Sequence, residues 1–134
     1  MKINLEAIIK IESGGNPNAF NERSGARGLC QITKVCWEEF NHFKGRVPFN
    51  PKIEELFDPW MNRKVADWYL NTRIPEMLVA FNIPVTIDNI LIAYNWGIGN
   101  LAKLYRHERG KTLPKETADY LKKYKQLTEG DHAI

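Results

Sequence analysis

The chain has 134 residues and a mass of 15.6 kDa, the size of one domain with a hydrophobic core of its own. Its 43% hydrophobic and 26% charged residues are typical of a globular protein and exclude a disordered or fibrous one. The net charge of +3 comes from interspersed basic and acidic residues rather than from one basic face, so we do not expect nucleic acid as a partner.

The predicted elements are almost all helical. Leu5, Ile8 and Ile9 recur at the spacing of one helix face, and this first helix is predicted to end at Gly14. A loop rich in Asn, Gly and Ser follows to about Arg27. Further helices are predicted over residues 34–43, from the Asp58-Pro59 start to Pro75, from Thr86 to Gly97, over residues 99–107, and from Pro114 to about Leu127. Pro75 should end or kink its helix.

Strand signals are almost absent, so the predicted fold class is mainly α, a compact single domain over residues 1–134. No apolar run is long enough to span a membrane. Nor does the start of the chain read as a secretory signal, because Glu6 and Lys10 interrupt the stretch that should be apolar.

The side chains that could bind metal are few. Cys30 and Cys36 lie too far apart on one helix for a disulfide, and we expect both to be buried, reduced thiols. The three histidines are scattered without ligand spacing. We therefore expect neither a metal nor a cofactor. Of the tryptophans, Trp37, Trp60 and Trp68 are expected in the core, and Trp96 is a candidate for stacking on a sugar ring.

Glu12 is the first candidate for chemistry. It continues the stripe of Leu5, Ile8 and Ile9, so the helix that buries those residues should also turn Glu12 inward. A carboxyl group pressed against apolar surface loses hydration of its charged form, which raises its pKa. Such an acid can donate a proton to the leaving oxygen of a glycosidic bond. The alternative is a Glu12 that turns to solvent at the helix end.

Three segments, in order, resemble motifs of the lytic transglycosylases of the goose-type lysozyme superfamily. The first motif begins at the candidate acid and has two parts, Glu12-Ser13-Gly14-Gly15-Asn16-Pro17-Asn18-Ala19 and Gly25-Ala26-Arg27-Gly28-Leu29-Cys30-Gln31-Ile32. The other two are Ala93-Tyr94-Asn95-Trp96-Gly97-Ile98-Gly99 and Leu113-Pro114-Lys115-Glu116-Thr117-Ala118-Asp119-Tyr120. The resemblance spans nearly the whole chain and implies a lysozyme-like helical fold with a substrate groove.

The resemblance also implies roles for individual residues. Glu12 would be the catalytic acid. The substrate-binding residues would be Ser13, Asn21, Ser24, Gln31, Ile32, Tyr94, Asn95, Glu116, Thr117 and Tyr120. The family usually has a serine soon after the Asn-Pro-x-Ala segment, and here either Asn21 or Ser24 could take its place. Helical periodicity agrees that Tyr94 and Tyr120 turn toward the interior.

The implied reaction is non-hydrolytic cleavage of the β-1,4 bond between N-acetylmuramic acid and N-acetylglucosamine in peptidoglycan, which gives 1,6-anhydromuramic acid ends. No second acid has a motif around it, which fits a reaction in which the substrate does part of the work. A hydrolytic lysozyme on the same scaffold and a non-catalytic glycan-binding or structural module remain alternatives.

The expected partner is a peptidoglycan glycan strand, bound by a monomer. The expected place of action is the cell wall, in the periplasm or outside the cell. The sequence leaves open whether the chain belongs to a phage, to a secretion or conjugation apparatus, or to the bacterium's own wall turnover.

Overall fold

A computed structural model describes residues 2–107 and 112–129 of the chain. The α-helices are α1 (Leu5–Ser13), α2 (Lys34–Phe43), α3 (Pro59–Trp68), α4 (Ile74–Ala80), α5 (Ile87–Trp96), α6 (Ile98–Tyr105) and α7 (Lys115–Thr128). Between them lie a 3-10 helix, Ile53–Phe57, and a π-helical segment, Tyr69–Arg73. Within the described residues there is no strand, only isolated β-bridges, so the mainly α prediction is confirmed.

The contacts divide the chain into two compact units. One is Asn4–Tyr69, and the other is Leu70–Ile134 together with Met1–Ile3. We call them the N-terminal unit and the C-terminal unit and describe each by itself. That residues 1–134 form a single domain stays a prediction.

Four of the described helices, α1, α2, α3 and α5, begin where a capping side chain bonds to a backbone N–H group of the first turn. The side chains of Asn4, Thr33 and Asp58 each accept a hydrogen bond from the backbone N–H of the third residue of α1, α2 and α3. Thr86 does the same for α5. Their carbonyl, carboxylate or hydroxyl oxygens replace the helix partners that these N–H groups lack. The predicted Asp58-Pro59 start is therefore confirmed, and so is the predicted cap at Thr86.

The chain around Pro75 is irregular, but it does not stop being helical there. Pro75 is the second residue of α4, and the π-helical segment Tyr69–Arg73 comes directly before that helix. A proline lacks the N–H for an α-helical bond, and its ring clashes with the carbonyl of the residue four places earlier, here Asn71. The wider π-helical turn is the local form that the chain takes before this proline.

In the N-terminal unit the core lies between α1, α2, the 3-10 helix and α3. Ile8, Phe40, Leu56 and Val65 are at most 1% exposed, and the edge of one ring of the Phe40–Trp68 pair meets the face of the other. The prediction for Trp60 is wrong, because its side chain is 51% exposed. Trp60 lies in the first turn of α3, outside the buried side of that helix. Its ring contacts the ring of Phe49.

In the C-terminal unit the core is formed by α4, α5, α6 and α7. Leu78, Leu91 and Leu101 are fully buried or nearly so. Gly97 separates α5 from α6 with a φ of +104° and a ψ of 141°, a conformation that a residue with a Cβ rarely adopts. Among the residues described, no helix combines the length and the apolar character needed to cross a membrane.

Candidate active site

Glu12 lies in the last turn of α1 and is partly exposed. The helix ends immediately after it, at Gly14, whose left-handed backbone lets its N–H donate to the Lys10 carbonyl. Ser13 stabilises this end: its hydroxyl donates to the Ile9 carbonyl (3.1 Å) and accepts from the Gly15 N–H (3.2 Å). The Ser13 hydroxyl proton is therefore already used inside the protein.

The charge of Glu12 acts on the buried thiol of Cys30. Burial raises the pKa of Cys30 to about 12, and the negative charge of Glu12 is the next cause of that increase. The thiol is fully buried, in the loop that follows α1. Cys36 is buried as well, and burial raises its pKa well above the ordinary value for a thiol. The expectation of two buried thiols without a disulfide is confirmed.

The loop between α1 and α2, residues 14–33, contains turns in which asparagine side chains bond to the backbone. Asn16 Oδ1 accepts from the Asn18 N–H (3.0 Å), and Asn21 Oδ1 accepts from the Arg23 (2.9 Å) and Ser24 (3.1 Å) N–H groups. Ser24 Oγ accepts from the Ala26 N–H (3.2 Å). Asn21 and Ser24 are both exposed, and each retains a side-chain donor that these turns do not use. Which of them takes the family's serine position stays open.

The side chain of Gln31 bonds to backbone carbonyls of the same loop. Its backbone has a positive φ of 55°, and its side-chain Nε2 donates to the carbonyls of Ala19 (3.2 Å) and Gly28 (3.1 Å). Within the described ranges, 2–107 and 112–129, nothing donates to its Oε1, and the residue is partly exposed. Gln31 therefore presents one oriented acceptor at the loop surface.

Ile32 bonds within the loop through its backbone rather than through its side chain. Its N–H donates to the Arg27 carbonyl (2.9 Å), and its own carbonyl accepts from the Arg27 N–H (3.0 Å). Its side chain is 1% exposed. The backbone of Ile32 thus holds the loop closed next to Gln31.

Asn62 is a residue whose importance the sequence reasoning missed. Its side chain is fully buried, and its Nδ2 donates to the carbonyls of Arg27 (2.9 Å) and Leu56 (2.8 Å). Its Oδ1 accepts from the Cys30 N–H (2.9 Å). One amide thereby joins the loop, the 3-10 helix and α3. The available signal was an asparagine on the apolar stripe of α3, at helical spacing from Val65 and Ala66.

Gly28 makes room for that amide. A Cβ on Gly28 would lie 2.3 Å from both Asn62 Nδ2 and the Leu56 carbonyl oxygen, and its φ of +77° also favours glycine. The close approach of the loop backbone to Asn62 therefore requires glycine at this position.

In the C-terminal unit, two motif residues from different helices are joined directly. Thr117 Oγ1 in α7 donates to Asn95 Oδ1 in α5 at 2.8 Å. Thr117 is 2% exposed, whereas Asn95 is partly exposed. In the part of the chain that the structure describes, the Asn95 Nδ2 group has no acceptor, so the amide is fixed at one end and has donors at the other.

The remaining predicted residues lie in the same unit. Tyr120 is 5% exposed, which confirms that it turns inward, and Tyr94 is partly exposed. Glu116 is exposed in the first turn of α7. Trp96, the candidate for sugar stacking, is partly exposed. In residues 2–107 and 112–129, no group of three or more His, Cys, Asp and Glu side chains could hold a metal ion.

Comparison with known families decides what kind of domain this is. The family model described as the transglycosylase SLT domain matches residues 2–116. The chain belongs to that family. SLT domains have a lysozyme-like helical fold and peptidoglycan lytic transglycosylase activity in general, and they act on the cell wall. No solved structure matches the chain. The family match ends at Glu116, so Thr117 and Tyr120 lie just beyond it.

Proposed function

We propose that this chain cleaves the β-1,4 bond between N-acetylmuramic acid and N-acetylglucosamine without water and leaves 1,6-anhydromuramic acid ends. The observation that carries the proposal is the SLT match over residues 2–116, which includes Glu12 and the loop beside it. The local structure supports the role of Glu12. It is partly exposed in the last turn of α1, where a glycan strand could reach its carboxyl group.

In the proposed reaction, Glu12 gives its proton to the oxygen that links the two sugars, and the bond from that oxygen to the anomeric carbon breaks. The substrate's 2-acetamido group stabilises the positive charge on that carbon. The Glu12 carboxylate then takes the proton of the 6-hydroxyl of the same sugar as that oxygen bonds to the anomeric carbon. The proton count balances, and no second carboxylate is required.

The loop beside Glu12 would bind the glycan through Gln31. Its Oε1 is an acceptor held in place by the two bonds of its Nε2, and sugar hydroxyls and acetamido N–H groups are suitable donors. We assign Ser13 and Ile32 to holding this region in shape, because their polar groups already bond within the protein. Asn21 and Ser24 retain donors for the substrate.

The resemblance assigns Tyr94 and Asn95 to orienting the 6-hydroxyl, with Tyr120, Glu116 and Thr117 nearby. The bond from Thr117 fixes Asn95 and leaves its Nδ2 donors available, as a positioning group requires. Holding a reacting hydroxyl in the correct geometry can lower a barrier by several kcal/mol.

The test is the chemistry of the product. Purified peptidoglycan is digested in water enriched in the heavy oxygen isotope, and the fragments are analysed by mass spectrometry. Anhydro ends, lighter than reducing ends by one water and without heavy oxygen, support the proposal. Reducing ends that carry heavy oxygen would instead make the chain a hydrolytic lysozyme, and no new ends would make it a glycan-binding module.

A further inference from the structure

Arg27 lies in the loop next to Gln31 and has no role in the reaction described above. Its guanidinium lies over the ring of Phe20, 5.2 Å from the ring centre. Its Nη1 donates to the Gly25 carbonyl at 3.3 Å. Phe20 is 49% exposed and Arg27 is partly exposed, so both reach the protein surface.

The charge of Arg27 has no acidic partner within residues 2–107 and 112–129. Other cations in these ranges do have one: Arg63 pairs with Glu6, and Lys115 lies 3.2 Å from Asp119. A guanidinium carries five N–H donors in a planar fork. The Gly25 carbonyl uses one of them, and the rest remain for a ligand.

The backbone of Arg27 is unusually well fixed for a loop. Its N–H donates to the Ile32 carbonyl (3.0 Å), and its carbonyl accepts from the Ile32 N–H and from Asn62 Nδ2 (both 2.9 Å). The Phe20 ring restricts the side chain in turn. A cation that is held in place before binding loses little conformational freedom when a ligand arrives.

We propose that Arg27 binds a carboxylate of the peptide stem carried by the muramic acid residues, and so selects glycan strands that bear stems. This rests on the proposed function, since it identifies a second feature of the same substrate. The sugars are neutral, and the acidic groups of peptidoglycan are carboxylates, which match the planar fork of arginine in two parallel hydrogen bonds. The guanidinium can contact the Phe20 ring with its face and still bond a carboxylate through the N–H groups at its edge.

The test compares Arg27→Gln and Arg27→Lys with the wild-type chain on two substrates. One is a strand with free stem carboxylates, and the other is the same strand with those carboxylates converted to amides. On the free acid, Arg27→Gln should raise KM about tenfold or more with little change in kcat, because a charge-assisted pair is lost. Arg27→Lys should recover only part of this, since lysine keeps the charge but lacks the fork. On the amidated strand, the wild-type chain and both variants should have the same high KM, because the carboxylate that Arg27 would bind is absent.

The matched control is Arg23→Gln, which makes the same charge change in the same loop. Arg23 is exposed, and among the described residues its side chain makes no hydrogen bond, ion pair or ring contact. KM should be unchanged in this variant. A rise equal to that of Arg27→Gln would reduce the effect to general attraction between charges and overturn the assignment. An equal loss by Arg27→Gln on free and amidated strands would overturn it too, because it would show that Arg27 only supports the loop.

A third strand, from which an amidase has removed the stems, carries only lactyl carboxylates. Dependence on Arg27 there and not on the stem-bearing strand would move the ligand from the stem to the lactyl group and contradict the stem assignment. Binding of Glu12→Gln and of the Glu12→Gln/Arg27→Gln double variant to each strand makes the result independent of turnover. If the wild-type chain forms no anhydro ends, the proposed function fails, yet the binding measurements still decide for or against Arg27.

Discussion

The loop beside Glu12 and the α5–α7 pair hold their candidate residues by different means. In the loop, side-chain amides bond to backbone groups: Gln31 and Asn62 together make five such hydrogen bonds. Between α5 and α7, helix packing provides the frame, and one bond from Thr117 to Asn95 orients the amide. The loop should therefore depend on a few buried polar groups for its stability. The helix pair should tolerate loss of the Thr117–Asn95 bond but lose the orientation of Asn95.

The largest effect is expected from Asn62→Ala. It leaves the Cys30 N–H and the Arg27 and Leu56 carbonyls without the amide that bonds them, in a fully buried position. We expect the free energy of unfolding to fall by about 3 kcal/mol, measured by urea denaturation. Asn18→Ala, at an exposed position in the neighbouring turn, is the control and should change it by less than about 0.5 kcal/mol. Equal losses in the two variants would show that the buried amide does not hold the loop.

Gly28→Ala should have the next largest effect. The new Cβ meets Asn62 and the Leu56 carbonyl at 2.3 Å, in addition to the strain of a positive φ. Gly15→Ala is the matched control, because Gly15 also has a positive φ, of +88°, but nothing lies within 4 Å of its Cβ position. We expect thermal unfolding to show a loss of about 1 kcal/mol for Gly15→Ala and at least twice that for Gly28→Ala. Equal losses in the two variants would contradict the close approach of the Gly28 backbone to Asn62 and the Leu56 carbonyl.

Thr117→Val tests the helix pair. The substitution keeps the shape of the buried side chain and removes the hydroxyl that bonds Asn95, so stability should fall by about 1 kcal/mol. The same change at Thr128, whose hydroxyl donates to the Tyr124 carbonyl, is the control. Both variants should lose similar stability, but only Thr117→Val should lower kcat, since Asn95 is then free to turn. If kcat is the same in both, the Thr117–Asn95 bond is only structural.

The smallest effect concerns the dependence of stability on pH. The pKa of Cys30 is about 12 in the folded chain against 9.0 for an ordinary thiol, so between these values the unfolded chain binds fewer protons. The contribution of this thiol is complete below pH 9 and is lost as the pH rises toward 12. By pH 10 the wild-type chain should have lost about 1 kcal/mol more than Cys30→Ala, measured by denaturation at each pH. Parallel curves would place the thiol in contact with solvent.

Much of the fold could be predicted from the sequence because its signals are local. The bounds of α2 and the caps at Asp58, Thr86 and Gly97 follow from side chains within a few residues of the helix ends. The inward turn of Tyr120 follows from helical periodicity. In each case the residues that decide the structure are neighbours in the chain.

The misses have a physical cause in common. Trp60 is exposed although its size favours burial, because its position on α3 faces away from that unit's core. Asn62 is a core residue because three backbone groups from two other segments converge on its amide, and these lie 6 to 35 positions away. Periodicity gives the face of a helix, but it does not show which distant backbone groups meet there.

The central claim is that Glu12 supplies the proton for cleavage, and the most direct measurement is the rate at which anhydro ends form with Glu12→Gln and with Glu6→Gln. Both changes remove one carboxylate from α1, and Glu6 is exposed and pairs with Arg63. We expect Glu12→Gln to lower the rate about a thousandfold or more while the variant still folds and binds peptidoglycan, and Glu6→Gln to leave it near that of the wild type. Cleavage by Glu12→Gln at the wild-type rate would contradict the account.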